Sequence, residues 1–362
     1  MPELNELAID DKKNTRARFE QWVKNPQCEA NALSAVLNVK MREVAESLGY
    51  RAEYGQSPFA ITRGLQFEAW LYKDNAKVFR ESLIKSKLLA EGDSGFEDLR
   101  LTINGGKKIK KVDQAIDVST KILQNLSNDN DFKAPSIIAG LALRIPKGVM
   151  LPEATLIIDA TLITKEGDDY LITVGEIKVF PDRGGHTDPS EIATARAQAG
   201  VYQHALSLSV QSMNLAKPPI VNEKGFLVFT WPGSNSPVIR ANEDLRYQAL
   251  RAEQGFDQLD GIAVNLMKNA PKDPSEYFDW VAHSRTDYRE ACWNFCDLAA
   301  RCQDMAIADD RAIVLGREAA RTLGTVTVTR AIELMEGAEP KSDFEKSLGT
   351  QLKNFNWEAL NK

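Results

Sequence analysis

The chain has 362 residues, 43% hydrophobic and 27% charged, a globular composition that excludes wholesale disorder. Its length points to roughly two domains of about 150 residues, or to one elaborated α/β domain. A net charge of −6 excludes a uniformly basic nucleic-acid coat, although 45 Lys and Arg remain to concentrate on one face.

The opening residues, MPELNELAIDDKK, are acidic and polar where a secretory signal needs basic residues followed by an apolar run. The best candidate for a membrane span is broken by Arg144, Lys147 and Glu153, and no stretch reaches the roughly 18 apolar residues required. The expectation is a soluble, cytoplasmic protein with no membrane partner. Residues 12–23 and 28–48 read as helices, the second ending at Gly49, and Tyr50 to Pro58 reads as a loop. A helix through RGLQFEAWLY (63–72) and another over 76–90 follow. GGKKIKK (105–111) is a basic turn entering a helix at 112–127; it can contact a nucleic-acid backbone or simply be solvated.

The pattern changes character from about residue 137. ATLIIDATLIT (154–164) and YLITVGEIKVF (170–180) are rich in β-branched and aromatic residues, and the KEGDD between them makes an antiparallel hairpin with a loop of about five residues. A helix at 190–209, a buried strand at 225–231 and a further strand through SPVIRANE come next. Helices at 243–268 and 274–283 precede a helical C-terminus broken at Gly324 and Gly337. This order predicts an α/β fold, a small mixed sheet flanked by helices. The expected divisions are an N-terminal helical region (1–135), a core (136–242), C-terminal helices (243–305) and a helical tail (306–362). The tail either packs on the core or contacts a partner protein.

Side chains alternate along a strand, so Asp159 shares a face with Ile157 and Thr161, and Glu176 shares one with Lys178. Asp159 is the only charge in an apolar run, an expensive placement without a partner. If the hairpin register aligns them, two carboxylates and one ammonium meet in a small patch. Hard oxygen ligands at this spacing suit Mg²⁺ or Mn²⁺, and a nearby lysine can orient a metal-bound water. The plainer reading is a salt bridge on an edge hairpin. On the next helix Gln198 and Tyr202 stand at i,i+4, on one face, where Gln can bond a phosphate or water and Tyr can stack or hydrogen-bond near the strand.

The chain has four cysteines, far too few for a disulfide scaffold. Cys28 stands alone, while Cys292, Cys296 and Cys302 fall close together. Four thiolates suit a [4Fe–4S] cluster or a structural zinc; four unrelated buried thiols are the bland alternative. Joining Cys28 to the triplet closes a loop worth roughly 5–6 kcal/mol, if the chain-entropy estimate for disulfides transfers.

Asp159, then Glu176-Ile177-Lys178, then Gln198-Ala-Gly-Val-Tyr202 resembles the PD-(D/E)XK nucleases, specifically their RecB-like branch, over residues 20 to 305. One remote N-terminal cysteine with a C-terminal triplet resembles the iron–sulfur members of that branch, such as the CRISPR-adaptation nucleases and the AddB nuclease domain. The triplet here is C-x3-C-x5-C where those members have C-x2-C-x5-C. The resemblance implies a restriction-endonuclease-like core with N- and C-terminal helical iron–sulfur regions. It implies a metal-dependent deoxyribonuclease acting on single-stranded DNA or DNA ends in repair, recombination, CRISPR adaptation or mobile-element defence. Asp159, Glu176 and the Ile177 carbonyl would hold the metal ion and Lys178 would orient the attacking water. Gln198 and Tyr202 would position substrate. Glu68, in RGLQFEAWL, stands where the family completes its metal site with an acidic residue or a histidine. Cys28, Cys292, Cys296 and Cys302 would hold the [4Fe–4S] cluster, and the tail would meet a helicase or other protein.

Two further readings stay open: a nucleic-acid-binding scaffold subunit without turnover, and a zinc-stabilised endonuclease. There is no G-x-x-x-x-G-K-[ST] motor motif, and His186, His204 and His283 lack zinc-hydrolase spacing. His186, in the loop RGGHTDPS after the Glu-x-Lys strand, can approach a phosphate or be merely exposed.

Overall fold

The computed structural model describes residues 22–23, 25–37, 39–51, 58–100, 112–128, 132–145, 154–289, 292–293 and 295–353. The basic turn at 105–111, most of the 12–23 helix and most of the 50–58 loop lie outside them. Among the described residues the chain divides into two compact units, one within Gln56–Lys268 and the other formed by Arg18–Gly55 together with Asn269–Lys362. The expected divisions at 135 and 242 fall inside the first unit, because the helices on either side of them pack on one sheet.

The first unit runs α1 (Pro58–Leu71), α2 (Lys73–Lys85), β1 (Phe96–Asp98), α3 (Val112–Asn128), β2 (Ile137–Ile145), β3 (Ala154–Glu166) and β4 (Asp169–Pro181), then α4 (Pro189–Ser212), β5 (Ile220–Val221), β6 (Lys224–Thr230), β7 (Pro237–Asp244) and α5 (Arg246–Met267). Its seven strands form one mixed sheet in the order β1-β2-β3-β4-β6-β7, with β5 also paired to β4. β2, β3 and β4 run antiparallel, and β4 pairs parallel with β6. The α/β fold and the mixed sheet between helices are as the sequence order predicts.

The hairpin is tighter than expected. Lys165, Glu166 and Asp169 join the strands, leaving Gly167 and Asp168 as the turn. Gly167 sits at φ +63°, a left-handed conformation that glycine adopts without steric cost. β2 is a strand the pattern did not mark. Eight of its nine residues are buried, so it shows a continuous apolar run in place of the alternation that identifies a half-exposed strand.

Phe67, Leu71, Phe79 and Leu83 of α1 and α2 pack against Ala160, Leu162, Ile177 and Phe226 on one face of the sheet. α3 packs on β2, and α4 lies across β2, β4 and β6 with α5 against it. Residues of opposite parity on the strands, including Asp159 and Glu176, therefore point toward α4. α4 begins cleanly: Asp188 caps it by accepting from the Ser190 N–H at 2.8 Å, and Pro189 supplies a pre-set φ in the first turn.

In the second unit the expected 28–48 helix is two helices, Glu29–Leu37 and Met41–Ser47, and Gly49 at φ +84° ends the second. Helices Tyr277–His283 and Ala299–Ala308 belong to the same unit. The tail folds on itself. Helices Arg317–Leu323, Val328–Met335 and Asp343–Lys353 enclose a cluster of Leu323, Val326, Leu334 and Leu348. Among the described residues no helix is long and apolar enough to cross a membrane.

The closest approach in the sheet is at Gly175. A Cβ built there would stand 2.1 Å from Cζ of Phe226 on the neighbouring strand. Gly175→Ala is expected to lose about 1–3 kcal/mol of stability through overpacking. In urea titrations, adding Phe226→Leu should recover part of that loss; equal stability of Gly175→Ala and the parent protein would refute the contact.

Candidate functional site

β3 and β4 pair as far as Ala160 with Gly175, and the next step along the ladder would set Asp159 opposite Glu176. There a side chain takes over from the backbone. The Ile177 N–H donates to Asp159 Oδ2 at 3.2 Å. The Tyr202 hydroxyl, from α4, donates to Asp159 Oδ1 at 3.1 Å. From the other side of the sheet the Tyr72 hydroxyl, just past α1, donates to the backbone carbonyl of Asp159 at 2.7 Å. Residue 159 is thus held at its carboxylate by a tyrosine of α4 and at its main chain by a tyrosine of the turn between α1 and α2.

Glu176 is fully buried and Lys178 is 20% exposed, with Nζ 2.5 Å from Glu176 Oε1. Glu176 is still paired in register with Leu227, whereas Lys178 lies where β4 loses register with β6, between Ile177 and Pro181. A bulge of this kind bends the strand and re-aims its side chains. Asp159, Glu176, Ile177, Lys178 and Tyr202 are therefore brought together by the sheet and α4. Gln198 lies one turn before Tyr202 on α4, half-buried on the same side of that helix. Tyr202 departs from the stacking expectation: its ring is fully buried, so its hydroxyl, and not its face, is what it offers to the site.

Glu68 approaches through α1, one turn before Tyr72. Burial drives the Tyr72 hydroxyl pKa well up, and the negative charges of Glu68 and Asp159 push it further in the same direction. Both carboxylates therefore bear on one hydroxyl. The Arg100 guanidinium lies over the Tyr72 ring at 4.4 Å and is bound to Asp98 through Nε at 2.9 Å and Nη2 at 2.7 Å. Tyr72, with Arg100 and Asp98 behind it, is what sequence reasoning missed here. The available signal was its i,i+4 spacing from Glu68, which repeats that of Gln198 and Tyr202.

All four cysteines are buried, form no disulfide and line one small pocket in the second unit. Cys28 reaches it because backbone and side-chain bonds tie its segment to the triplet. The Ala30 N–H donates to the Arg285 carbonyl at 3.2 Å, and Asn25 Nδ2 donates to the Asp287 carbonyl at 2.7 Å. Asn25 Nδ2 also lies 3.6 Å from Cys292 Sγ. Cys292 and Cys296 are joined by one turn, with the Cys296 N–H donating to the Cys292 carbonyl at 2.8 Å, and Cys302 lies on the helix Ala299–Ala308. Burial raises the Cys302 thiol to about 11 and also raises Cys292 and Cys296. Such thiols stay protonated at neutral pH until a cation displaces the protons.

The donor set, four thiols around one pocket, is chemically that of an iron–sulfur or zinc site. Among the described residues, no three or more His, Cys, Asp or Glu side chains are placed to hold a metal ion, either here or at the strand site.

No protein-family model matches the chain, and no curated protein does. Among solved structures the chain is similar, at 13% identity and a TM-score of 0.21, to one titled "Crystal structure of SSO0001". The match covers 68% of this chain and 96% of that one, a superposition too loose to carry an argument.

Tyr202→Phe keeps the buried ring and deletes only the bond to Asp159. A hydrogen bond to a charged acceptor is worth about 1.5–3 kcal/mol, so chemical denaturation should show a loss in that range. Unaltered stability would mean that the hydroxyl does not hold the carboxylate.

Proposed function

We propose that the chain is a metal-dependent DNA nuclease of the PD-(D/E)XK type, RecB-like, with a [4Fe–4S] cluster in its cysteine pocket. One observation carries the reading. Asp159, Glu176 and Lys178 converge from adjacent strands, and a tyrosine of the following helix binds the first carboxylate. That convergence adds spatial grouping to the motif order Asp, Glu-x-Lys, Gln-x-x-x-Tyr.

Asp159 and Glu176, with the Ile177 carbonyl and Glu68, are the residues that would hold Mg²⁺ or Mn²⁺. A bound ion supplies Lewis acidity to the phosphoryl oxygen and lowers the pKa of its water. The protein's contribution is orientation. Tyr202 and the Ile177 N–H aim Asp159, and the bulge after Ile177 aims Lys178. The ammonium of Lys178, one-fifth exposed, offsets the Glu176 carboxylate and can donate to the water or to a developing phosphorane charge. Gln198 stands one turn along α4 to bond substrate. The cluster has no redox step to perform in phosphodiester hydrolysis, so its part is to fasten Cys28 to the triplet.

The test is cleavage of labelled single-stranded oligonucleotides and of circular DNA with Mn²⁺. Asp159→Ala and Lys178→Ala should each lower the rate by at least about 10²–10³-fold while folding normally, the scale for one key electrostatic contact. Wild-type rates in either variant would overturn the assignment, and DNA binding with no cleavage by the parent would favour the scaffold reading. Anaerobically purified protein should be brown, with about four irons per chain, and Cys28→Ala should lose the iron and be less thermostable. A colourless protein with one zinc per chain would replace the cluster with zinc.

A further inference from the structure

Beyond Lys178, β4 ends in a loop built around a buried charge. Asp182 is 0% exposed and accepts from the Gly185 N–H at 2.6 Å, Thr187 Oγ1 at 3.0 Å and Arg240 Nε at 2.8 Å. Arg240 also donates to the Gly185 carbonyl. The Arg183 N–H donates to the His186 carbonyl at 3.1 Å, closing a turn over Gly184 and Gly185, which sit at φ +65° and +93°. All four residues of that turn, Arg183 to His186, are exposed. Burying a carboxylate to shape a wholly exposed turn is expensive unless its donors compensate, and here they do.

The neighbouring strand ends beside it. The Asp182 N–H donates to the Thr230 carbonyl at 2.9 Å, so Arg183 and Trp231 are each the next residue after that bond. Trp231 is 52% exposed although its backbone is pinned: its N–H donates to the Ser236 carbonyl at 2.8 Å, and its carbonyl accepts from the Ser234 N–H at 3.0 Å. A backbone held by these bonds thus presents an exposed indole at the end of β6, beside the end of β4 where exposed Arg183 stands five residues past Lys178.

We infer that these two turns form a platform for the single strand leaving the site, with Trp231 stacking a base and Arg183 gripping a phosphate. The inference rests on the nuclease reading above and deepens it by naming the two side chains that would hold the strand outside the reacting centre. An indole face can stack only on a base whose face is open, which a duplex offers only at its two ends. The three residue steps from Lys178 to Pro181 span about 10 Å, so the platform that follows them meets nucleotides near the scissile one.

The experiment is fluorescence anisotropy with labelled oligothymidylate in EDTA, where binding is read without turnover, beside a blunt duplex of equal length. Trp231→Ala should weaken oligothymidylate binding about tenfold or more, and Trp231→Phe should restore most of it. Arg183→Ala should reduce the salt slope by about 0.7, the value for one single-strand phosphate contact. Both side chains are exposed, so melting temperatures should match the parent. If the parent binds and cleaves the oligonucleotide while Trp231→Ala binds equally well, the platform falls and the nuclease reading stands. If the parent binds no oligonucleotide, both fall. A Trp231→Ala defect as large on the duplex as on the single strand would overturn the stacking assignment alone.

Discussion

The first unit depends on how one carboxylate is accommodated at the point where two strands part. Asp159 is half-buried on the face of the sheet that α4 covers, and its carboxylate finds donors inside the fold. It finds the Ile177 N–H, an amide facing the adjacent strand just past their last paired residues. The same bond therefore satisfies a backbone group and fixes the carboxylate. Tyr202 adds a second donor, and Tyr72 fixes the peptide itself, so α1 and α4 are both referenced to this residue.

Once Asp159 is set, the neighbouring chemistry follows from strand geometry. Glu176 and Lys178 share its face by the two-residue period, and the irregular pairing with β6 turns Lys178 partly outward while Glu176 stays fully buried. A wholly buried carboxylate beside a partly exposed ammonium is an asymmetric pair. Its open side is the lysine. Asp182, a few residues on, repeats the device with Arg240 as partner and a turn in place of a strand. Buried carboxylates thus set the shape of the β4 end at successive positions, and basic groups occupy its accessible rim.

The second unit solves a different problem, that of bringing Cys28 to a triplet more than 260 positions later. Peptide and side-chain bonds from Asn25 and Ala30 to the 285–287 segment hold the two stretches together. The four thiols share one pocket, and burial raises those of the triplet.

Much of this was legible in the sequence because it rests on local rules. The β3–β4 hairpin, α4, and the helical tail with breaks at Gly324 and Gly337 follow from periodicity and turn chemistry, and the shared face of Glu176 and Lys178 follows from the strand repeat. The grouping of the cysteines was legible as a count and a layout. β2 was not, because a strand buried on both faces lacks alternation. Nor was the unit boundary, since sequence order does not reveal that the segment before 55 packs with that after 269. Tyr72 and Arg100 were also hidden. Their part depends on which helix crosses which strand, and that is decided by packing Phe67, Phe79 and Phe226 into one core. The sequence by itself determined which groups could do chemistry; tertiary structure decided which of them meet, because a carboxylate's partners are set by the closest packing of chain segments that are far apart in sequence.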